Sequence, residues 1–270
     1  MRRRLDVELV RRRIVTSRAK AVSAIEEGHV LVSGAVADKP ARLVAPGEPI
    51  ELVEAQPYVS RGGFKLAGAL DRFGLDVAGR WCIDVGSSTG GFTDCLLQRG
   101  AAHVVALDVG RGQLDWSLRQ DSRVTVVEGV NVRRAGVDDV GGRRADVVTA
   151  DLSFISLTTV AGALVDLAAE GADLVLLVKP QFEAGRADVG KGGIVRDPAI
   201  HRRVLAEHLR AFSNSGLTFA GLAPSSIRGS GGNVEFVAWW RHGGAAPGNV
   251  DAEAAIEAVL VEVEETGGER

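Results

Sequence analysis

Trp81-Cys82-Ile83-Asp84-Val85-Gly86-Ser87-Ser88-Thr89-Gly90-Gly91-Phe92 is the stretch that decides the fold of this 270-residue chain. Residues 81–85 read as a buried strand, and a helix is predicted at 91–99. The glycines between them let the backbone come close to a ligand, and the helix start suits an anionic group. The spacing is not the G-x-G-x-x-G of dinucleotide enzymes: an acid precedes Gly86 by two residues, and Gly90-Gly91 follow after three. Outward from this unit, strands are predicted at 103–107, 124–128, 146–150 and 173–178, with helices at 114–119, 156–168 and 198–212. A helix at 63–73 comes before it. The last strands, 217–222 and 235–241, have only a loop between them and read as a hairpin, so one runs antiparallel. Alternating strands and helices predict an α/β fold, a mostly parallel seven-stranded sheet covered on both faces. The acidic tail, 250–265, is a helix candidate with Ala255, Val259 and Val263 at helical spacing.

Sites in open parallel sheets lie at the carboxyl ends of the strands. Asp108 ends the second strand, where an acid can accept hydrogen bonds from both ribose hydroxyls of a nucleoside ligand. The same crevice is assigned Asp84, Gly86, Ser87, Ser88, Gly90, Gly91 and Phe92, with Asn131 as an adenine-side contact. Asp151 ends the fourth strand, and Lys179 ends the fifth after Leu174-Val175-Leu176-Leu177-Val178. Glu235 opens the last strand and Lys65 lies on the entering helix. Each charge alone reads as a surface ion pair; lysines and carboxylates at converging strand ends read as a reaction site.

The first 55 residues differ in character. Helices are predicted at 5–13 and 17–27, capped by Ser17 and ended by Gly28, with Val7, Val10, Val22 and Ile25 on their apolar sides. Short strands follow at 29–33 and 49–53. Residues 1–25 carry eight Lys/Arg against two acids, although the chain as a whole has a net charge of −3. That local excess points to a polyanionic partner. Residues 249–270 carry seven acids against one Arg. No apolar core of a signal peptide follows Met1-Arg2-Arg3-Arg4, and the longest aliphatic run falls far short of the roughly 20 residues of a membrane span. The chain therefore reads as cytoplasmic, without a membrane partner. Cys82 and Cys95 read as small core residues, and no metal-ligand cluster is visible.

Arg4-Leu5-Asp6, Ser17-Arg18-Ala19-Lys20-Ala21, Ile25, Gly28, Val30, Val32, Gly34, Lys39-Pro40, Val44, Gly47 and Ile50 together resemble the small α+β RNA-binding domain with the αL motif, first described in a small-subunit ribosomal protein. That resemblance implies phosphate contacts by Arg4, Arg11, Arg18 and Lys20. Lys65, Asp151, Lys179 and Glu235 resemble the Lys-Asp-Lys-Glu tetrad of ribose 2′-O-methyltransferases. The phrases Ser60-Arg61-Gly62-Gly63-Phe64-Lys65, Ala150-Asp151-Leu152-Ser153-Phe154-Ile155-Ser156, Lys179-Pro180-Gln181-Phe182-Glu183 and Gly232-Asn233-Val234-Glu235 extend the likeness to the TlyA family of haemolysin-named rRNA methyltransferases, over essentially the whole chain. The resemblance implies a Rossmann-like, S-adenosylmethionine-dependent methyltransferase domain at 61–270, a linker at 55–60 and an RNA-binding domain at 1–54. It further implies 2′-O-methylation of cytidine in 23S and 16S rRNA, with ribosomal RNA and ribosomal subunits as partners.

On this reading Lys179, held by Asp151 and Glu235, polarises the 2′-hydroxyl and stabilises the developing alkoxide; neighbouring carboxylates favour its charged form over a role as base. Three other readings compete. A nicotinamide oxidoreductase shares the fold class but lacks the glycine spacing. A membrane-active haemolysin needs apolar stretches that are missing. A non-catalytic RNA- or ribosome-binding protein has no need of the tetrad.

Overall fold

A computed structural model describes residues 2–26, 29–37, 39–53, 57–244 and 250–267. The chain divides into two compact units, Met1–Pro57 and Tyr58–Arg270. The expected helix end at Gly28 and the linker residues 55 and 56 lie outside the described residues.

In the first unit β1 (Arg3–Arg4) leads into α1 (Leu5–Arg11) and α2 (Arg18–Glu26), followed by β2 (Val30–Val32), β3 (Ala35–Val36), β4 (Leu43–Val44) and β5 (Ile50–Leu52). Ser17 caps α2 by accepting a hydrogen bond from the Lys20 N–H at 3.2 Å. β2 pairs antiparallel with both β3 and β5, and β1 pairs with β4. The core corrects the expected apolar face of α1. Leu5 and Leu9 are buried with Ala21, Ile25, Val30, Val32 and Val44, whereas Val7 is exposed. Positions i and i+4 stack on one side of a helix, and β1 fixes that side inward at Leu5.

The second unit begins with α3 (Gly62–Phe73). There follow β6 (Trp81–Val85), α4 (Gly91–Gln98), β7 (His103–Asp108), α5 (Trp116–Gln120), β8 (Val124–Glu128), β9 (Ala145–Ala150), α6 (Ala161–Leu167), β10 (Ala168–Val178), α7 (Pro180–Glu183), α8 (Pro198–Asn214), β11 (Leu217–Pro224), β12 (Phe236–His242) and α9 (Ala252–Gly267). The strand order is β11-β12-β10-β9-β6-β7-β8. All neighbours from β10 to β8 are parallel, and β12 runs antiparallel between β10 and β11. The hairpin reading of the last two strands thus gives the reversed strand.

Strand alternation separates two cores. Ile83, Val85, Val148 and Leu176 face α6, α8 and α9, where Leu164, Leu205, Phe212 and Leu260 are buried. Cys82, Val104, Val147 and Leu177 face α3 and α4, where Leu66, Leu70, Cys95 and Leu96 are buried. Both cysteines are free, and burial pushes each thiol up to about 12. The helix expected at 156–168 is shorter than the sequence suggests: a 3-10 turn, Leu157–Val160, precedes α6, and β10 already begins at Ala168.

Candidate active site

The crevice forms where β6, β7, β8 and β9 end. Gly86 has φ +83°, and a Cβ there would meet the Asp151 carbonyl at 2.6 Å, so only glycine lets the two strand ends approach this closely. Gly90, with φ +98°, starts α4; a Cβ there would strike Leu118 Cδ1 at 2.2 Å. Asp108 Oδ2 accepts from the Ser88 N–H at 2.8 Å, and Oδ1 from the Gly110 N–H at 2.6 Å. This one carboxylate therefore ties the glycine loop to the β7 end, and its remaining lone pairs stay available for a ligand. The cavity beside it measures about 620 Å³ and is lined by Gly86, Ser88, Asp108, Gln113, Asn131 and Asp151 among others. Asn131 also caps the turn Val132–Arg134 by accepting from the Arg133 N–H at 3.0 Å.

Asp84 is a correction. Its place in the sequence assigns it to the crevice, but its side chain is fully buried, accepting hydrogen bonds from Thr93 Oγ1 at 2.7 Å and Thr149 Oγ1 at 3.2 Å. It sits on a central strand, and its carboxylate joins β6 to α4 and β9. Burial pushes its carboxyl up to about 7, against the opposing effect of the Thr93 hydrogen bond. Ser87 and Phe92 are also buried; with Ser60, Thr89, Ser153 and Lys179 they line a smaller cavity of about 150 Å³. Gly91 packs against Ser60, whose Oγ a Cβ would meet at 2.3 Å.

The four lysine and carboxylate residues form two ion pairs. Lys65 Nζ lies 2.6 Å from Glu235 Oε2, and both residues are buried. Lys179 pairs with Asp151 and donates to Ser153 Oγ at 3.2 Å. The expectation that both Asp151 and Glu235 hold Lys179 is corrected: Glu235 is taken by Lys65, and by Gln181 Nε2 at 3.3 Å. Gln181 follows Lys179 by two residues, so α7 reaches both pairs. Sequence reasoning missed Gln181, Ser153, Gln113 and Gly110. The first two stand within the quoted phrases, and their polar side chains next to chain-end charges were the available signal.

In the first unit, Asp6 and Glu8 are buried acids surrounded by arginines. Asp6 takes both Arg4, at 3.0 Å, and Arg18, at 2.9 Å. Glu8 takes Arg11 at 2.6 Å, Arg12 at 2.8 Å and Arg3 at 3.8 Å. Hydrogen bonds from Arg11 and then Arg12 hold the Glu8 carboxyl down at about 2, and Arg4 lowers that of Asp6. Lys20 is exposed and has no ion-pair partner among the described residues.

Residues 58–242 match the FtsJ-like methyltransferase family, and residues 3–50 the S4 domain. A Mycobacterium tuberculosis protein, the 16S/23S rRNA (cytidine-2′-O)-methyltransferase TlyA, is 50% identical over 242 residues, covering 89% of this chain and 90% of the relative. The chain belongs to the TlyA family of FtsJ-like methyltransferases. Hemolysin A of Brachyspira hyodysenteriae is 39% identical, covering 87% of this chain and 98% of the relative. A solved Streptococcus thermophilus chain with a provisional hemolysin name superposes with a TM-score of 0.75 at 39% identity, covering 99% of this chain and 97% of that one. Among the described residues no helix is long and apolar enough to cross a membrane.

Proposed function

We propose that the protein transfers a methyl group from S-adenosylmethionine to the 2′-hydroxyl of a cytidine in ribosomal RNA, acting on ribosomal subunits with both 23S and 16S rRNA as substrates. The observation that carries this reading is the meeting of a nucleoside-sized cavity with a largely buried lysine–carboxylate pair at the carboxyl ends of the central strands: Asp151 lines the cavity and binds Lys179. Membership of a family whose Mycobacterium tuberculosis relative bears this activity in its name supports it. The domain assignment belongs to the same proposal: residues 1–54 grip RNA, 55–60 link and 61–270 catalyse.

The cavity fits the donor. Gly86 lines it and lets the ends of β6 and β9 close together, Asp108 presents a carboxylate to ribose hydroxyls, and Asn131 lines it as well. When bound, the donor supplies a methyl group on a sulfonium, whose positive charge is lost on transfer. Gly86, Ser88, Gly90 and Gly91 shape the approach, with Ser87 and Phe92 packed beneath. Asp84 acts from below by holding α4 and β9 to β6.

The tetrad prepares the nucleophile. Lys179 directs a positive N–H toward the 2′-oxygen, stabilising negative charge as the hydroxyl loses its proton. Asp151 keeps that ammonium in place. Lys65 and Glu235 form the companion pair, joined through Gln181 to the segment that carries Lys179. Much of the rate comes from alignment of the two reactants. Outside the crevice, Arg4, Arg11, Arg18 and Lys20 hold RNA phosphates and place the substrate without reading its bases.

Calorimetry with S-adenosylmethionine, followed by transfer of labelled methyl groups to unmodified ribosomal subunits, tests the proposal. Donor binding and label in rRNA are expected. Donor binding with no label in either subunit would leave a binding protein instead of this enzyme.

A further inference from the structure

We propose that Ser153 is a positioning residue that aims the free N–H of Lys179 at the nucleophile. The inference rests on the reading of Lys179 given above and adds a residue that the tetrad does not contain. An ammonium is tetrahedral and carries three N–H donors. Ser153 Oγ, at 3.2 Å, accepts one, while Asp151 is the ion-pair partner of the ammonium and the Phe182 ring centroid lies 5.8 Å from Nζ. With Cε and the bond to Ser153 fixed, the directions of the other two N–H groups are fixed too. Without Ser153, Lys179 keeps its charge partner but can rotate about the Cε–Nζ axis and swing around Asp151.

Ser153 stands where such aiming is useful. Gly86, Ser88, Asp151 and Ser153 line both the larger and the smaller cavity, and of these Asp151 and Ser153 bind Lys179. The hydroxyl therefore marks the junction between the donor cavity and the lysine.

The loop that carries Ser153 is anchored to the helix that follows Lys179. Glu183, on α7, accepts from the Leu157 N–H at 2.8 Å and from the Ser156 hydroxyl. Phe182 of the same helix packs on Phe154 with ring centroids 5.1 Å apart. Phe154 has φ +64°, a left-handed conformation that an aromatic residue rarely adopts. Such a turn persists when its surroundings over-determine it. Loop 151–157 and Lys179 thus share one support, which sets the Ser153–Lys179 distance.

A group that aims a transition-state donor affects turnover more than binding. The experiment compares Ser153→Ala and Ser153→Thr in the full chain with unmodified ribosomal subunits and S-adenosylmethionine. Ser153→Ala is expected to lower kcat about 10- to 30-fold, below the roughly 100-fold or greater loss on deleting a transition-state donor itself. KM for the subunits and Kd for the donor should stay within about twofold, and Ser153→Thr, which restores a hydroxyl, should recover most of kcat. A second arm needs no activity. The chain has five lysines, so the Nζ signal of Lys179 can be assigned in 15N-lysine protein by substitution. That signal should shift and exchange faster with water in Ser153→Ala than in the wild type. Unchanged kcat with an unchanged Lys179 signal would overturn the proposal. A fall in kcat matched by an equal loss of donor affinity would also overturn it, assigning Ser153 to the donor wall. If the wild type methylates no rRNA, the functional reading fails, while the Nζ signal still decides whether Ser153 holds Lys179.

Discussion

Buried or half-buried acids organise cations in both units, with opposite stoichiometry. In the first unit Asp6 and Glu8 serve five arginines among the described residues: Arg3, Arg4, Arg11, Arg12 and Arg18. In the second, Asp151 and Glu235 serve one lysine each. The first arrangement holds the arginines while leaving surplus positive charge, which attracts a polyanion over a distance. The second is close to neutral and attracts little; it fixes directions instead. On the proposed reading one region grips RNA and the other aims a donor. Removing a cation should therefore weaken RNA binding in the first region and turnover in the second.

The largest expected effect is in the crevice. Lys179→Ala should lower methyl transfer by about 1,000-fold, the upper range for loss of a transition-state donor. Donor affinity by calorimetry should remain within about twofold. Turnover near the wild-type rate would reduce the Lys179–Asp151 pair to a structural role.

Asp108→Ala comes next, because it removes both the ligand carboxylate and the support of Ser88 and Gly110. Loss of two or three hydrogen bonds at about 1 kcal/mol each predicts roughly 30- to 150-fold weaker donor binding. RNA binding in a filter assay should be unaffected. An unchanged donor Kd would remove Asp108 from the site.

In the gripping region, replacing Arg18 and Lys20 together by Glu should weaken binding to rRNA by about tenfold at moderate salt. It should also make log K against log salt shallower by about 0.7 to 0.9 for each phosphate that is no longer neutralised. Donor affinity serves as the control. A steeper or identical slope would show that these cations do not meet phosphates.

The smallest effect concerns acids that titrate in opposite senses. Glu8 is held down at about 2 by Arg11 and Arg12, so its stabilisation is present above the ordinary glutamate value and fades as pH falls toward 2. Asp84 is pushed up to about 7 by burial. The fold favours its neutral form, so its contribution is full below the ordinary aspartate value and is lost as pH rises through about 7. Thermal melts of Asp84→Asn should depend less on pH between 5 and 8 than those of the wild type. A variant with the same pH slope as the wild type would contradict this.

What was legible in the sequence follows the same division. The large sheet could be read because each strand is a separate apolar run bounded by glycine or an acid. The two-residue strands β1, β3 and β4 are too short to show a period, and the buried face of α1 depends on how β1 enters it. The acid before Gly86 has the position of a ligand group, yet strand alternation in the middle of a sheet turns Asp84 inward. The partner of Lys65 lies 170 positions away, and no local spacing encodes which lysine meets which carboxylate. Asp6 and Glu8 appear in the sequence only as subtractions from a basic charge. Their burial makes them the frame on which the arginines are held.

Nucleoside analysis of rRNA after reaction with the full-length protein and S-adenosylmethionine tests the central claim most directly. Unmodified ribosomal subunits are the substrate, and the digested RNA is resolved by mass spectrometry. The account predicts 2′-O-methylcytidine with the wild type and essentially none with Lys179→Ala. A methyl group on a base, or equal 2′-O-methylcytidine from both proteins, would contradict it.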